Sequence, residues 1–288
     1  MVDMELTSHG HRLNTAPGTF GKLRESNDII KNNEALHQRI DDDGYLFFRN
    51  YLDKNVVLAA RQELLQELMS VDELDPKHPM MDAVYSGESN RPPGFGERLR
   101  TNIAVKELCH QGKIITFFER FLGGTIRPFD YLWIRTVHPG GSTGCHYDVV
   151  YMGRGTHNLF TAWIPVGDVP LHHGALLVLE NSHTLNDVKE SYGTLDVDRD
   201  QENSPYKGGW FSTNPVEVQQ KAGGRWLTTD FQIGDILIMT MFTMHCSLDN
   251  SSDHIRLSTD SRYQLATDPV DERWIGNDPI GHKERRSG

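Results

Sequence analysis

The rhythm of apolar and polar positions changes once along the 288-residue chain, near residue 125. Before that point the period is helical. From about Asn33 to Ser70, "NEALHQRIDDDGYLFFRNYLDKNVVLAARQELLQELMS" reads as a short helix, the strand-like "YLFF", and a second helix beginning near Asp53, a residue type suited to capping it. Val56, Val57, Ala60, Leu64, Leu65 and Leu68 recur there at helical spacing, which predicts one buried face shared by all six. "KIITFFERFLGG" predicts a further helix stopped by Gly123 and Gly124. Between these, Val71 to Arg100 is rich in Pro, Gly and charge and reads as a long loop. A loop of that length in a compact domain is commonly a lid, and "RPPGFGER" is its expected mobile part.

From about Thr125 to Ala266 the chain breaks into short β-rich segments bounded by turn residues: "TIRPFDYLWIRTV", "LFTAWIPV", "GALLVLE", "GRWLTTDFQIGDILIMTM", "HCSLDN" and "HIRLSTDSRYQ". Strands do not alternate with long helices, so a doubly wound or (β/α)8 architecture is disfavoured. The expected fold is mainly β with flanking helices, a β-barrel or jelly-roll core at about 125–266 behind an N-terminal helical segment. One domain is expected over 33–268, with 1–32 as a polar, Gly/Pro-punctuated arm and 269–288 as a tail.

A net charge of −11 argues against nucleic-acid or anionic-membrane partners, because such surfaces must be cationic. Three cysteines, Cys109, Cys145 and Cys246, without framework spacing point to a reducing compartment. No apolar run is long enough for a membrane span, and the first residues lack a basic-then-apolar leader, so the expected location is cytoplasmic and the expected partner a small-molecule substrate. Oligomeric state is not legible.

The chemistry begins in "GGSTGCHYDVVYMG". In a strand, His146 and Asp148 point to the same side while Tyr147 points away. His245, in "GDILIMTMFTMHCSLDNSS", is the best third ligand, and two histidines with one carboxylate make the facial triad of non-haem Fe(II) oxygenases. Eleven residues after His245, Arg256 opens a strand on which His254, Arg256, Ser258, Asp260 and Arg262 share one face, opposite Ile255 and Leu257. A polar line inside a narrow barrel is costly without a ligand or partner charge. Arg256 has the planar fork that clamps the distal carboxylate of a 2-oxoacid, with Ser247 as a reinforcing hydroxyl. Cys145 and Cys246 each adjoin a histidine and invite a zinc reading, but neighbouring strand residues face opposite ways. Among the other residue types with chemistry, His172 and His173 sit at a turn, and Trp133, Trp210 and Trp226 are core or pocket aromatics. Tyr147, Tyr151 and Arg154 stand close enough to the metal motif for substrate contact or packing. A barrel that binds a metal or ligand without turnover, and a metal-dependent hydrolase, stay open on these residues alone.

In this order and spacing, "DDGYLFFRNYLD", "CHYD", "TAWIPVGDV", "GALLVLENSH", "GDILIM" and "HCSLDNSSDHIRLSTDSRYQ" resemble the phytanoyl-CoA dioxygenase family of Fe(II)- and 2-oxoglutarate-dependent oxygenases, over roughly residues 35 to 268. The resemblance implies a double-stranded β-helix, the cupin-like jelly roll. It implies that His146, Asp148 and His245 are iron ligands, that Arg256 anchors 2-oxoglutarate with help from Ser247, and that Thr161 and Trp163 face the cosubstrate. O2 and 2-oxoglutarate would be consumed to hydroxylate an unactivated C–H bond, releasing succinate and CO2. The sequence departs from the family at "ENSH", where Pro-Gly-Ser-His is commoner, and there His183 is expected to be structural. Asp148 is present where halogenating relatives carry a small residue, which favours hydroxylation. The substrate class expected is a small to medium-sized, partly apolar metabolite.

Overall fold

The computed structural model describes residues 5–200 and 204–282. Its strands are β1 (Thr7–Ser8), β2 (His11–Arg12), β3 (Phe20–Lys22), β4 (Tyr45–Phe48), β5 (Ile126–Pro128), β6 (Trp133–Val137), β7 (Phe160–Pro165), β8 (Leu176–Leu179), β9 (Trp226–Thr228), β10 (Ile236–Thr240), β11 (His245–Ser247) and β12 (Arg256–Leu265). The helices are α1 (Asn33–Asp43), α2 (Lys54–Met69), α3 (Phe95–Arg100), α4 (Ile103–His110), α5 (Lys113–Leu122), α6 (Val149–Met152), α7 (Asn186–Glu190) and α8 (Pro215–Ala222). Among the described residues, one sheet runs β4-β10-β7-β12-β5 with β6 also paired to β12, and a second runs β11-β8-β9-β3. Each has free ends, so the β region is a two-sheet jelly roll rather than a closed barrel.

Alternation along the first sheet sorts its residues between two cores. Leu46, Phe48, Phe160, Ala162, Ile164, Ile236 and Ile238 pack with Leu64, Leu65, Phe117 and Phe118 of the helices. Tyr45, Phe47, Trp163, Leu237 and Met239 face the other way, into a core shared with Leu176, Leu177, Trp226 and Cys246 of the second sheet. The site described below lies between the sheets.

The helix boundaries follow the residues expected to set them. Asp53 accepts from the Asn55 amide at the start of α2, and Gly123 closes α5 with φ of 75°. Val57, Ala60, Leu64, Leu65 and Leu68 are buried, whereas Val56 is 38% exposed. At 100° per residue, a stripe centred on Ala60 and Leu64 carries Val57 inward and turns Val56 to its edge. Gly44 ends α1 with φ of 76°, and a Cβ there would lie 2.5 Å from His183 Nδ1. His183 Nε2 in turn donates to the Asp41 carbonyl at 2.8 Å, so "ENSH" ties the end of β8 to α1.

The segment from Val71 to Arg100 is folded rather than open. Glu73 is fully buried; it accepts from Ser89 at 2.6 Å and from Arg91 Nη2 at 2.8 Å, and pairs with His138 at 2.9 Å. "RPPGFGER" runs into α3, whose Phe95 and Leu99 are buried, with Arg91 and Arg98 stacked on Phe95. Its composition conceals one carboxylate that gathers the charges inward. The N-terminal stretch read as an arm packs on the second sheet: Leu6, Leu13 and Leu23 are buried there, and β3 runs parallel to β9.

Candidate active site

His146 and His245 are opposite each other on a bridge and exchange both main-chain hydrogen bonds, at 3.0 and 3.1 Å. Asp148 follows where the chain leaves that bridge and turns into α6, with φ of −69° and ψ of −27°. The pair therefore converges through a bridge and a helical turn, not through the strand alternation the spacing suggests. Each imidazole donates its Nδ1–H to the carbonyl two residues earlier, His146 to Gly144 at 2.8 Å and His245 to Thr243 at 2.9 Å. This fixes Nε2 as the lone-pair donor of both rings. Those nitrogens lie 3.8 and 3.9 Å from Asp148 Oδ1, and the three ligand atoms fall within 4.8 Å of one another.

The protonation states suit a cation. Burial and then the facing His245 push the His146 imidazole down to about 3, and burial lowers His245, so both stay neutral. Burial alone would raise the Asp148 carboxyl, but the Arg262 guanidinium and the Thr161 hydroxyl hold it below the usual carboxylate range. Two neutral imidazoles and one carboxylate, with the atoms that do not converge already hydrogen-bonded, fit a divalent metal ion.

Behind these atoms a narrow inner cavity is lined by Arg135, Thr161, Trp163, Met239 and Arg256 together with both histidines. Arg256 Nη1 donates to Ser258 at 2.6 Å, and its Nε and Trp163 Nε1 have no protein partner. Burial and repulsion from Arg135 both act against its charge. A buried guanidinium without a carboxylate is a receptor for an anion. Arg135, by contrast, grips Asp260 through two bonds of 2.7 and 3.2 Å. Thr161 gives its hydroxyl to Asp148. Ser247 points elsewhere, accepting from the Thr143 amide at 2.9 Å, so the hydroxyl touching Arg256 is that of Ser258. Cys145 and Cys246 are free and buried, and neither lines a cavity beside the triad.

Adjoining it along Arg135, Thr143 and His146, an outer cavity of about 220 Å³ is walled by Tyr131, Trp133, Tyr151, Trp210 and His282. Gly144 is needed here, since a Cβ on it would meet the Trp210 ring at 2.6 Å. No lining residue of either cavity comes from 71–100; Trp210 and His282 are among the residues that line the outer one. Tyr147 donates to the Ser182 carbonyl within the core, Arg154 pairs with Asp196, and Trp226 is core. Arg135, Ser258, Asp260 and Arg262 gain roles the sequence left unassigned, although for the last three the polar alternation of "RLSTDSRY" was the signal.

No helix among the described residues is long and apolar enough to cross a membrane. The chain is 25% identical over 261 residues to the 1-deoxypentalenic acid 11-beta-hydroxylase of Streptomyces exfoliatus, covering 86% of this chain and 87% of that one. It is 24% identical to the Streptomyces arenae enzyme of the same name, with the same coverage. Among solved structures it is similar to the epimerase SnoN in complex with Fe3+, alpha ketoglutarate and nogalamycin RO, with a TM-score of 0.57, 22% identity, and 86% and 92% of the two chains covered. EctD from S. alaskensis with bound Fe superposes with a TM-score of 0.58 at 14% identity, over 97% and 94%. The family model for phytanoyl-CoA dioxygenase matches residues 40–258, and the chain belongs to that family of Fe(II)- and 2-oxoglutarate-dependent oxygenases.

Proposed function

We propose that His146, Asp148 and His245 hold Fe(II), that Arg256 receives the distal carboxylate of 2-oxoglutarate in the inner cavity, and that a small metabolite is hydroxylated from the outer one. Bound iron supplies the activation of O2 at the expense of 2-oxoglutarate, which leaves as succinate and CO2. The protein holds the three ligand atoms on one side, matches the cosubstrate's charge with Arg256, and shields the reacting face with Trp133, Tyr151 and Trp210. Trp163 lines the cosubstrate's path and offers it Nε1; Thr161 serves the metal carboxylate, and Ser247 supports the loop before His146. One observation carries the reading: Nε2 of both rings and Oδ1 of Asp148 converge, while the other polar atoms of these side chains are occupied by the protein.

The compact aromatic wall favours a partly apolar substrate. The curated relatives, named as hydroxylases of 1-deoxypentalenic acid, support hydroxylation of a secondary metabolite of that size. Three free thiols support a cytoplasmic location. The test is an anaerobic titration of the apoprotein with Fe(II) and then 2-oxoglutarate. A weak visible charge-transfer band that grows and saturates is the expected result; iron binding without a band refutes the cosubstrate site.

A further inference from the structure

Asp148 offers the triad only one of its oxygens. Oδ1 faces the imidazoles. Oδ2 accepts from the Thr161 hydroxyl and from Arg262 Nη2 at 3.1 Å. The other end of that guanidinium, Nη1, donates to Asp260 at 2.5 Å, and Asp260 is itself held by Arg135. Charges thus alternate along a row, Asp148, Arg262, Asp260, Arg135, buried except at the half-buried Arg135, and the Arg262 guanidinium lies 4.0 Å from the centre of the Trp133 ring. The ring blocks one face of the guanidinium, and two carboxylates fix its plane.

We propose that Arg262 is a positioning residue that, with Thr161, restricts Asp148 to ligation through one oxygen. The inference rests on the reading of Asp148 as a metal ligand. A carboxylate with both oxygens free can swing to chelate a cation, and the second oxygen would then take a coordination position. Two donors on Oδ2, one of them charged, oppose that swing. The consequence is an open position: 2-oxoglutarate needs two sites and O2 a third, which a triad bound through three atoms leaves and one bound through four does not. Arg262 also lines the outer cavity, so the residue setting the metal's free positions is part of the wall the substrate meets.

The test begins with wild-type protein loaded with Co(II), whose visible spectrum reports coordination number, and with Fe(II) titrated by 2-oxoglutarate. Absence of metal binding in wild type overturns the triad reading itself, and this inference with it; metal bound without the charge-transfer band refutes the cosubstrate site, and the Co(II) spectrum then still tests this inference. Given a wild-type signal, Arg262→Met paired with Asp260→Asn removes one charge of each sign and limits the damage to folding. The expected result is a thermal midpoint near wild type, an altered Co(II) spectrum, and a 2-oxoglutarate midpoint raised roughly tenfold, at the low end of effects seen when outer partners of ligands are removed. Thr161→Val, nearly isosteric, should move the spectrum the same way, and Arg262→Lys should restore part of it. Wild-type spectra and midpoints in the folded variants would make Arg262 a structural counter-ion only and overturn the proposal.

Discussion

The two faces of β12 are buried alike and satisfied differently. On one face Leu257 joins the helix-side core, and Tyr263 stacks on Phe118 at 4.2 Å and donates to the Cys109 carbonyl at 2.7 Å. On the other, Arg256, Ser258, Asp260 and Arg262 are all buried and are answered by charge: Asp260 by two guanidiniums, Arg262 by two carboxylates. Only at Arg256 does the sequence of answers stop short of a carboxylate. Contact completes the first face within the chain. On the second, carboxylates answer Arg262, although its Nε is unpartnered, and none answers Arg256, so a break in charge pairing marks a candidate ligand position better than polarity alone.

Substitutions on each face put this contrast to the test. Asp148→Ala on the charged side should abolish metal binding in equilibrium dialysis, a loss beyond the roughly 10- to 100-fold expected from removing an outer partner alone. Phe118→Ala on the contact side should cost about 3–5 kcal/mol in denaturant melts while the folded fraction keeps its metal affinity. A metal affinity that fell with stability would show the faces to be coupled. Arg256→Ala should raise the 2-oxoglutarate midpoint by about a hundredfold with Fe(II) still bound, since a buried charge pair is worth roughly 2–5 kcal/mol. An unchanged midpoint would move the anchor elsewhere.

Two smaller effects test the margins. Glu73→Gln should destabilise by about 2 kcal/mol, because Arg91 and His138 lose a buried partner. Although burial raises the Glu73 carboxyl, hydrogen bonds from His138, Arg91 and Ser89 bring it down to about 2 from an ordinary 4.5. A depressed folded-state value means that this stabilisation is present above pH 4.5 and lost as pH falls from there towards 2, and the variant should show a flatter acid limb in thermal melts. Finally, Ser258→Ala should raise the 2-oxoglutarate midpoint about fivefold, one hydrogen bond at about 1 kcal/mol, and Ser247→Ala should leave it where it is.

Periodicity and turn residues made the β segments, the α2 cap and the α5 stop legible, because these depend on neighbours in sequence. The grouping of His146, Asp148 and His245 was legible from residue types in family order. Its assembly was not, since Asp148 reaches the site by a helical turn whose torsions no spacing reveals. The packing of the segment expected to form a lid was hidden for a related reason: Gly, Pro and charge mark irregular backbone, but whether it packs depends on Glu73 meeting His138 across 65 positions. The partners of Arg262 likewise come from β6, β12 and the start of α6, a convergence that exists only in the folded chain.

Both imidazoles of the candidate site are aimed by peptide carbonyls, Gly144 and Thr243, rather than by other side chains. Main chain persists through any substitution. Mutations in Tyr131 or His282 can therefore reshape the outer cavity without disturbing the aim of either ring, whereas Trp133 stacks on Arg262, Tyr151 meets the His146 ring edge-on and Trp210 packs on Gly144. A scaffold with this separation is evolvable: its selectivity can drift through single changes in the outer wall while the candidate centre stays intact, and directed evolution should begin with those two positions.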